Sequence, residues 1–333
     1  SDSTARNLTV NASSGSITFG GAVGGSSILS NLTASSSTLT AGDIKVNTGG
    51  TLSVTNSGAG SITGIVSGGA GLTKAGAGVL TLSGANTYTG ATNVNAGTLT
   101  FGIASSIAQS SSVNLSNTAG AILNLGGYDQ SIKNLTGGGT TGGNIVLGSK
   151  TLTVTQTTDG TYAGVMSGTN GKLTKEGGNW LFLTGSNTYT GATTINNGYI
   201  RINAAGGVIS DSSAVVLGAN GTLDVYYSDT VGSISGSGTV STQSPSGGVV
   251  LTMGGDNSST TFSGNLSMGQ TALGYVKVGT GTLTLSGTST FPNFGSSVAF
   301  DLNGGVVSLA SAAALGNLTA NSNALIGFGG GTL

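Results

Sequence analysis

Cysteine and histidine are absent from the 333 residues, proline occurs twice, tryptophan once, and charged residues make up only 6% of the chain. Without cysteine there are no disulfides and no thiolate metal sites, a composition compatible with export by a route that tolerates cross-links poorly. Without histidine there is no imidazole general base, no Ser-His-Asp triad and no imidazole metal ligand. Nine bases are spread along the chain against ten acids, net charge −1, so there is no basic stripe for nucleic acid. Apolar clusters are broken by Gly, Ser, Thr or Asn, as in GGVVLTMGGDN, and none approaches the roughly 18 residues of a spanning helix. No membrane insertion is therefore expected of this segment. The opening SDSTARNLTV lacks a charged-then-apolar leader, so the chain reads as mature, excised from something longer, or cytosolic.

What is abundant is glycine, 63 residues, between short runs such as VLTLS, GTLTF and KTLTVTQ that alternate Leu, Val or Ile with Thr, Ser or Asn. Period-two alternation predicts strands with one face inward and one wet. Only LASAAALGNL (309–318) offers a few residues of helix. Strands of this length would also suit a β-sandwich. A repeat decides against it: residues 72–101 and 173–202 align without a gap with 16 of 30 positions identical, and YVKVGTGTLTLSGTSTF (275–291) is a weaker third copy that fades at Pro292. A sandwich has no reason to repeat its turns at a fixed interval, whereas a solenoid does so by construction. The expectation is an all-β parallel β-helix, one continuous solenoid over 1–333. Super-repeats fall at about 64–163, 164–262 and a degenerate 263–333, after an irregular 1–63. Leu80 and Leu82 form an inward pair, repeated by Leu181 and Leu183 and by Leu283 and Leu285. Roughly 15 coils would make an elongated rod on the order of 70 Å long.

The most specific motif is NTYTGAT, at 86–92 and 187–193. Asn tolerates turn conformations and bonds neighbouring backbone, Gly supplies a conformation a β-branched residue resists, and Thr restarts a strand. The candidate residues are thus structural corners: Asn86, Tyr88 and Gly90, and Asn187, Tyr189 and Gly191. Tyr88 and Tyr189 read as corner packing residues, with exposed sugar-stacking rings as the alternative.

With GAGVLTLSG before this heptapeptide and NAGTL after it, residues 72–99 resemble the passenger-associated transport repeat of bacterial autotransporters. Residues 173–200 resemble a second copy, with Glu176, Trp180 and Tyr199 as departures. NLTVNASSGSITFGGAVGG and TAGDIKVNTGGTLSVTNSGAGSIT are similar to stretches of very large filamentous-haemagglutinin-like surface proteins. The resemblance implies a right-handed parallel β-helix, export by a type V pathway and an extracellular location on the bacterial outer surface. It implies no active site, because the repeat is structural in that family. The family's C-terminal membrane barrel is missing, which would make the chain passenger only.

Polysaccharide-processing β-helix enzymes need clustered carboxylates on one face. Of the ten acids here Asp224 and Asp229 are the nearest such pair, and Asp at a turn is the plainer reading of both. No catalytic, cofactor-binding or metal-binding residue is assigned, and the chain is not expected to be an enzyme. The function expected is a structural rod segment of a surface adhesin, a spacer and adhesive wall in cell–cell or cell–surface contact. The alternatives are a filament subunit stacking head to tail and a glycan-binding or glycan-processing β-helix. Expected partners are other copies of itself or neighbouring segments of a longer chain, and host, bacterial or abiotic surfaces. Both ends run in strand-like alternation without a polar cap, so the chain is expected either to be cut from a longer solenoid or to stack into open fibres.

Overall fold

The computed structural model describes residues 6–25, 27–242, 248–268, 274–291, 298–316 and 325–333. Pro292 and the last two residues of the 309–318 segment lie outside these. The chain divides into two compact units, Ser1–Gly171 and Lys172–Leu333. Each is all-β, and every strand pairing described is parallel, which separate sandwiches of hairpins could not give. Between them the described residues make about 13 turns, fewer than the 15 expected from length.

In the first unit one face is laid down by successive strands Leu29–Ser36, Thr51–Asn56, Gly71–Ala75, Thr92–Val94 and Val113–Leu115. Leu32 pairs with Leu52, Leu52 with Leu72 and Leu72 with Thr92, so a coil there takes 20 residues. A second face carries Val79–Leu82, Thr98–Phe101, Ile122–Asn124, Asn144–Val146 and Met166–Ser167. Along it Leu80, Leu99, Leu123, Ile145 and Met166 stand in register, one per coil, all buried. Stacking like on like closes each side chain's surface against its neighbour. Each such burial contributes roughly 1.5–3 kcal/mol, which offsets the ordering of a chain rich in Gly, Ser and Thr.

The second unit repeats the arrangement with two longer strands, Thr193–Ile202 and Val215–Val225. Leu181, Ile200, Leu223, Val240 and Leu266 form its apolar column. Leu82 and Leu183 point inward as expected, both fully buried. A third face carries Asp229–Val231, Leu251–Met253 and Tyr275–Lys277. The helix candidate reduces to a 3₁₀ turn, Ala312–Leu315, closed by Gly316 at φ 73°.

Candidate functional site

The two NTYTGAT segments are built inward. Asn86, 5% exposed, donates from Nδ2 to the carbonyls of Gly84 (3.0 Å) and Ser106 (3.1 Å) and to Ser106 Oγ (2.9 Å). Its Oδ1 accepts from the Val66 N–H at 2.7 Å. Val66 and Ser106 lie 20 residues on either side, so one side chain ties three successive coils. Asn187 likewise donates to Gly185 O (3.1 Å) and Val208 O (2.6 Å).

Both tyrosines are buried, Tyr88 at 2% and Tyr189 at 0% exposure, which leaves no ring face for a sugar. Their hydroxyls begin matching relays. Tyr88 Oη meets Thr92 Oγ1 at 2.7 Å, Thr92 meets Ser110 Oγ at 2.9 Å, and Ser110 donates to the carbonyls of Gly90 and Ser112. Tyr189, Thr193 and Ser213 repeat the chain, ending on the Gly191 carbonyl. Burial raises both phenols, Tyr189 to about 12. Gly90 has no positive φ, contrary to the turn conformation expected for it. Its reason is space: a Cβ there would overlap the Ala70–Gly71 backbone of the preceding coil.

Sequence reasoning counted the lysines as scattered charge and missed what three of them do. Lys74, Lys175 and Lys277 hold the same repeat position and are buried. Lys74 Nζ donates to the carbonyls of Ala75 and Gly76 (both 2.7 Å) and of Ala96 (3.2 Å). Lys175 does the same to Glu176, Gly177 and Asn197, and Lys277 to Val278, Gly279 and Gly304. Each ammonium thus fills the gap that a glycine turn leaves between two coils. The available signal was the LTK of the two strong copies and the VK of the third.

Burial lowers Lys74 and Lys175 from the ordinary 10.5 to about 8, opposed at Lys175 by Glu176, and lowers Lys277 as well. Between pH 8 and 10.5 the unfolded chain therefore binds more protons than the folded one, and stability rises with pH. The buried tyrosines act oppositely above their ordinary value of 10. Denaturant midpoints are expected to rise from about pH 8 toward about 10 and then fall. In the Lys74→Met, Lys175→Met variant the rise should largely disappear; a rise of unchanged size would refute the assignment.

Asp224 and Asp229 are not turn residues. Asp224 lies within Val215–Val225, is 3% exposed, and accepts from Arg201 Nε at 2.5 Å. Burial raises its carboxyl, opposed by the Arg201 hydrogen bond and charge. Asp229 opens the strand Asp229–Val231, also buried, with Oδ2 accepting from the Ile209 N–H at 2.9 Å. It lines a shallow cleft with Gly206, Asp211, Ser228 and Thr252. The two carboxylates are thus each committed to a different partner. Among the described residues, no three His, Cys, Asp or Glu side chains gather as a metal site. No described helix is long and apolar enough to cross a membrane.

One outward patch breaks the repeat's blandness. Trp180 stacks on Tyr199 at 4.1 Å and lies 5.7 Å from Phe182, while the Arg201 guanidinium sits 4.7 Å from the Trp180 ring centre and 4.9 Å from that of Tyr226. The aligned residues in the first copy are Val79, Thr98, Thr81 and Thr100 for Trp180, Tyr199, Phe182 and Arg201 respectively.

Comparison with known proteins agrees with this architecture. The passenger-associated-transport-repeat family model matches residues 72–101, 173–202 and 276–292. The chain is 43% identical over 136 residues, 39% of its length, to the "Adhesin BmaC autotransporter" of Brucella suis biovar 1 (strain 1330). The match spans only 4% of that protein. No solved structure matches. Three passenger-associated transport repeats on a parallel β-solenoid, together with a 136-residue similarity to part of an autotransporter adhesin, make the chain similar to autotransporter passenger material, which is surface-exposed and extracellular.

Proposed function

We propose that the chain is a non-enzymatic spacer and adhesive wall, coiling continuously through 1–333 and making broad, weak contacts with cells and surfaces. The observation that carries this reading is the direction of the repeat's polar chemistry. Asn86 and Lys74 and their copies are turned inward onto backbone, and Thr92 and Thr193 onto buried hydroxyls, so what recurs is mechanical, while the outer faces offer Thr, Ser and Asn with few charges to repel a neighbour. Beads coated with the chain should be retained on host cells, on bacterial lawns or on glass more than beads coated with an inert protein of equal charge. Retention no better than that control on all three would remove the adhesive role.

A second reading, glycan binding, is favoured by the Trp180 patch alone. Its test is a glycan array probed with the chain and with a Trp180→Ala, Arg201→Ala variant. Binding lost in the variant supports it, and an empty array dismisses it.

A further inference from the structure

Asp229 and Gln130 occupy matching places. Each stands two residues after an exposed tyrosine, Tyr227 and Tyr128, at the head of a short strand, Asp229–Val231 in the five-stranded sheet and Gln130–Lys133 in the long sheet. The residue before each accepts from a backbone N–H one coil on: Asp129 Oδ1 from Thr151 at 2.8 Å, Ser228 Oγ from Val250 at 3.0 Å. The side chains then reach back one coil in the same way. Gln130 Oε1 accepts from the Ser106 N–H at 2.9 Å, and Asp229 Oδ2 from the Ile209 N–H at 2.9 Å.

The second atom of each side chain differs. Gln130 Nε2 is a donor and bonds the Ile103 carbonyl at 2.7 Å. Asp229 Oδ1 is buried without a hydrogen-bond partner. The Gln130 slot takes one acceptor and one donor; at Asp229 the acceptor side alone is occupied, and an ionised carboxylate has no donor to offer on the other side whereas a carboxylic acid has one. A buried oxygen left bare is costly. We propose that Asp229 is a proton-operated latch: protonated on Oδ1 it fills its slot as Gln130 fills the equivalent one, and ionised it holds the coil around Ile209 less tightly. The second unit is then firmer in acid than at neutral pH.

The titratable groups acting on Asp229 fit this. Burial is the largest influence and raises the carboxyl to about 6; the N–H of Ile209 and those of Thr230 and Val208 pull down, and Asp211 across the cleft pushes up. On the buried side its charge in turn raises Tyr189. Because the folded value lies above the ordinary 3.8, the folded state binds the extra proton between pH 3.8 and 6. Stability falls as pH rises through that window, and the loss is complete above it.

The test is amide exchange of Ile209 in the full chain, as a protection factor, together with the denaturant midpoint, in the wild type and in Asp229→Asn. At about pH 7.5 the amide variant should protect Ile209 roughly a hundredfold better, a ratio set by the distance between the ordinary 3.8 and the folded value of about 6. By about pH 4 the two should nearly converge. Gln130→Glu is the reciprocal experiment and should install the same acid-relieved weakness at Ser106. Equal protection of the two proteins at neutral pH, or a difference that does not change with pH, would overturn the latch. A variant less protected than wild type at neutral pH would show that the carboxylate itself is what the slot holds, and would overturn it too.

Discussion

Gly90→Ala is expected to lower the unfolding free energy of the first unit by about 3 kcal/mol, while Gly42→Ala leaves it within about 0.5 kcal/mol. The same methyl group is added in both. At Gly90 it arrives 2.5 Å from the Ala70 carbonyl oxygen and closer still to Ala70 C and Gly71 N, all backbone atoms of the coil below. A side chain could swing aside, but these atoms are fixed by hydrogen bonds such as Gly90 N–H to Ala70 O at 3.1 Å and Leu72 N–H to Ala91 O at 2.9 Å. Relief therefore requires the coils to part. Gly42 has nothing within 4 Å of the added carbon and no positive φ, so a methyl there meets only solvent. Chemical denaturation of the two variants gives the answer, and equal midpoints would show that coil spacing at this corner is soft.

Asn86→Ala is expected to cost about 3 kcal/mol or more. The substitution strands the Val66 N–H at a site closed to water and takes one of two donors from each of the Gly84 and Ser106 carbonyls, which keep Ser106 Oγ and the residue-86 N–H respectively. Each buried polar group so stranded costs about 1–3 kcal/mol, well above the net value of an ordinary hydrogen bond. Asn93→Ala is the control: its Oδ1 accepts from Asn114 Nδ2 at 3.1 Å on the half-exposed outer face, where water can replace it. A change of about 0.5 kcal/mol is expected there. Asn86→Ala and Asn93→Ala unfolding at the same denaturant concentration would mean that the corner ties contribute nothing special.

These effects share an origin in the register of the stack. The inward stripe was legible because it depends on period-two alternation alone: Leu80 and Leu82, or Leu181 and Leu183, announce their direction within one strand. The NTYTGAT motif was legible as a repeat, with its tyrosines read as packing residues, but the hydroxyl relay of Tyr88 and the steric reason for Gly90 were not. Both depend on Ala70 and Ser110, each one coil away from Gly90, and nothing local to the heptapeptide names those partners. The expectation that Asp224 and Asp229 sit at turns failed for the same reason. A lone Asp in a Ser- and Gly-rich stretch looks like turn chemistry until Arg201 and the Ile209 N–H are brought beside it.

The sequence by itself determined that the chain would be all-β, parallel and repetitive, and that its core would be aliphatic columns. Those properties follow from alternation and from glycine spacing, which act within a few residues. Only the tertiary structure decided which polar side chains would turn inward. Lys74 and Lys175 look like surface charge in the chain, yet each lies buried against three carbonyls, two beside it and one 22 residues on. Asp229 became a buried carboxyl because coiling brings the Ile209 N–H onto one of its oxygens and encloses the other without a partner. The physical reason is the geometry of coiling: a glycine-rich corner leaves backbone donors and acceptors of successive coils facing one another. Which side chain reaches across that gap is set by coil length, and coil length becomes visible only when the coils are stacked.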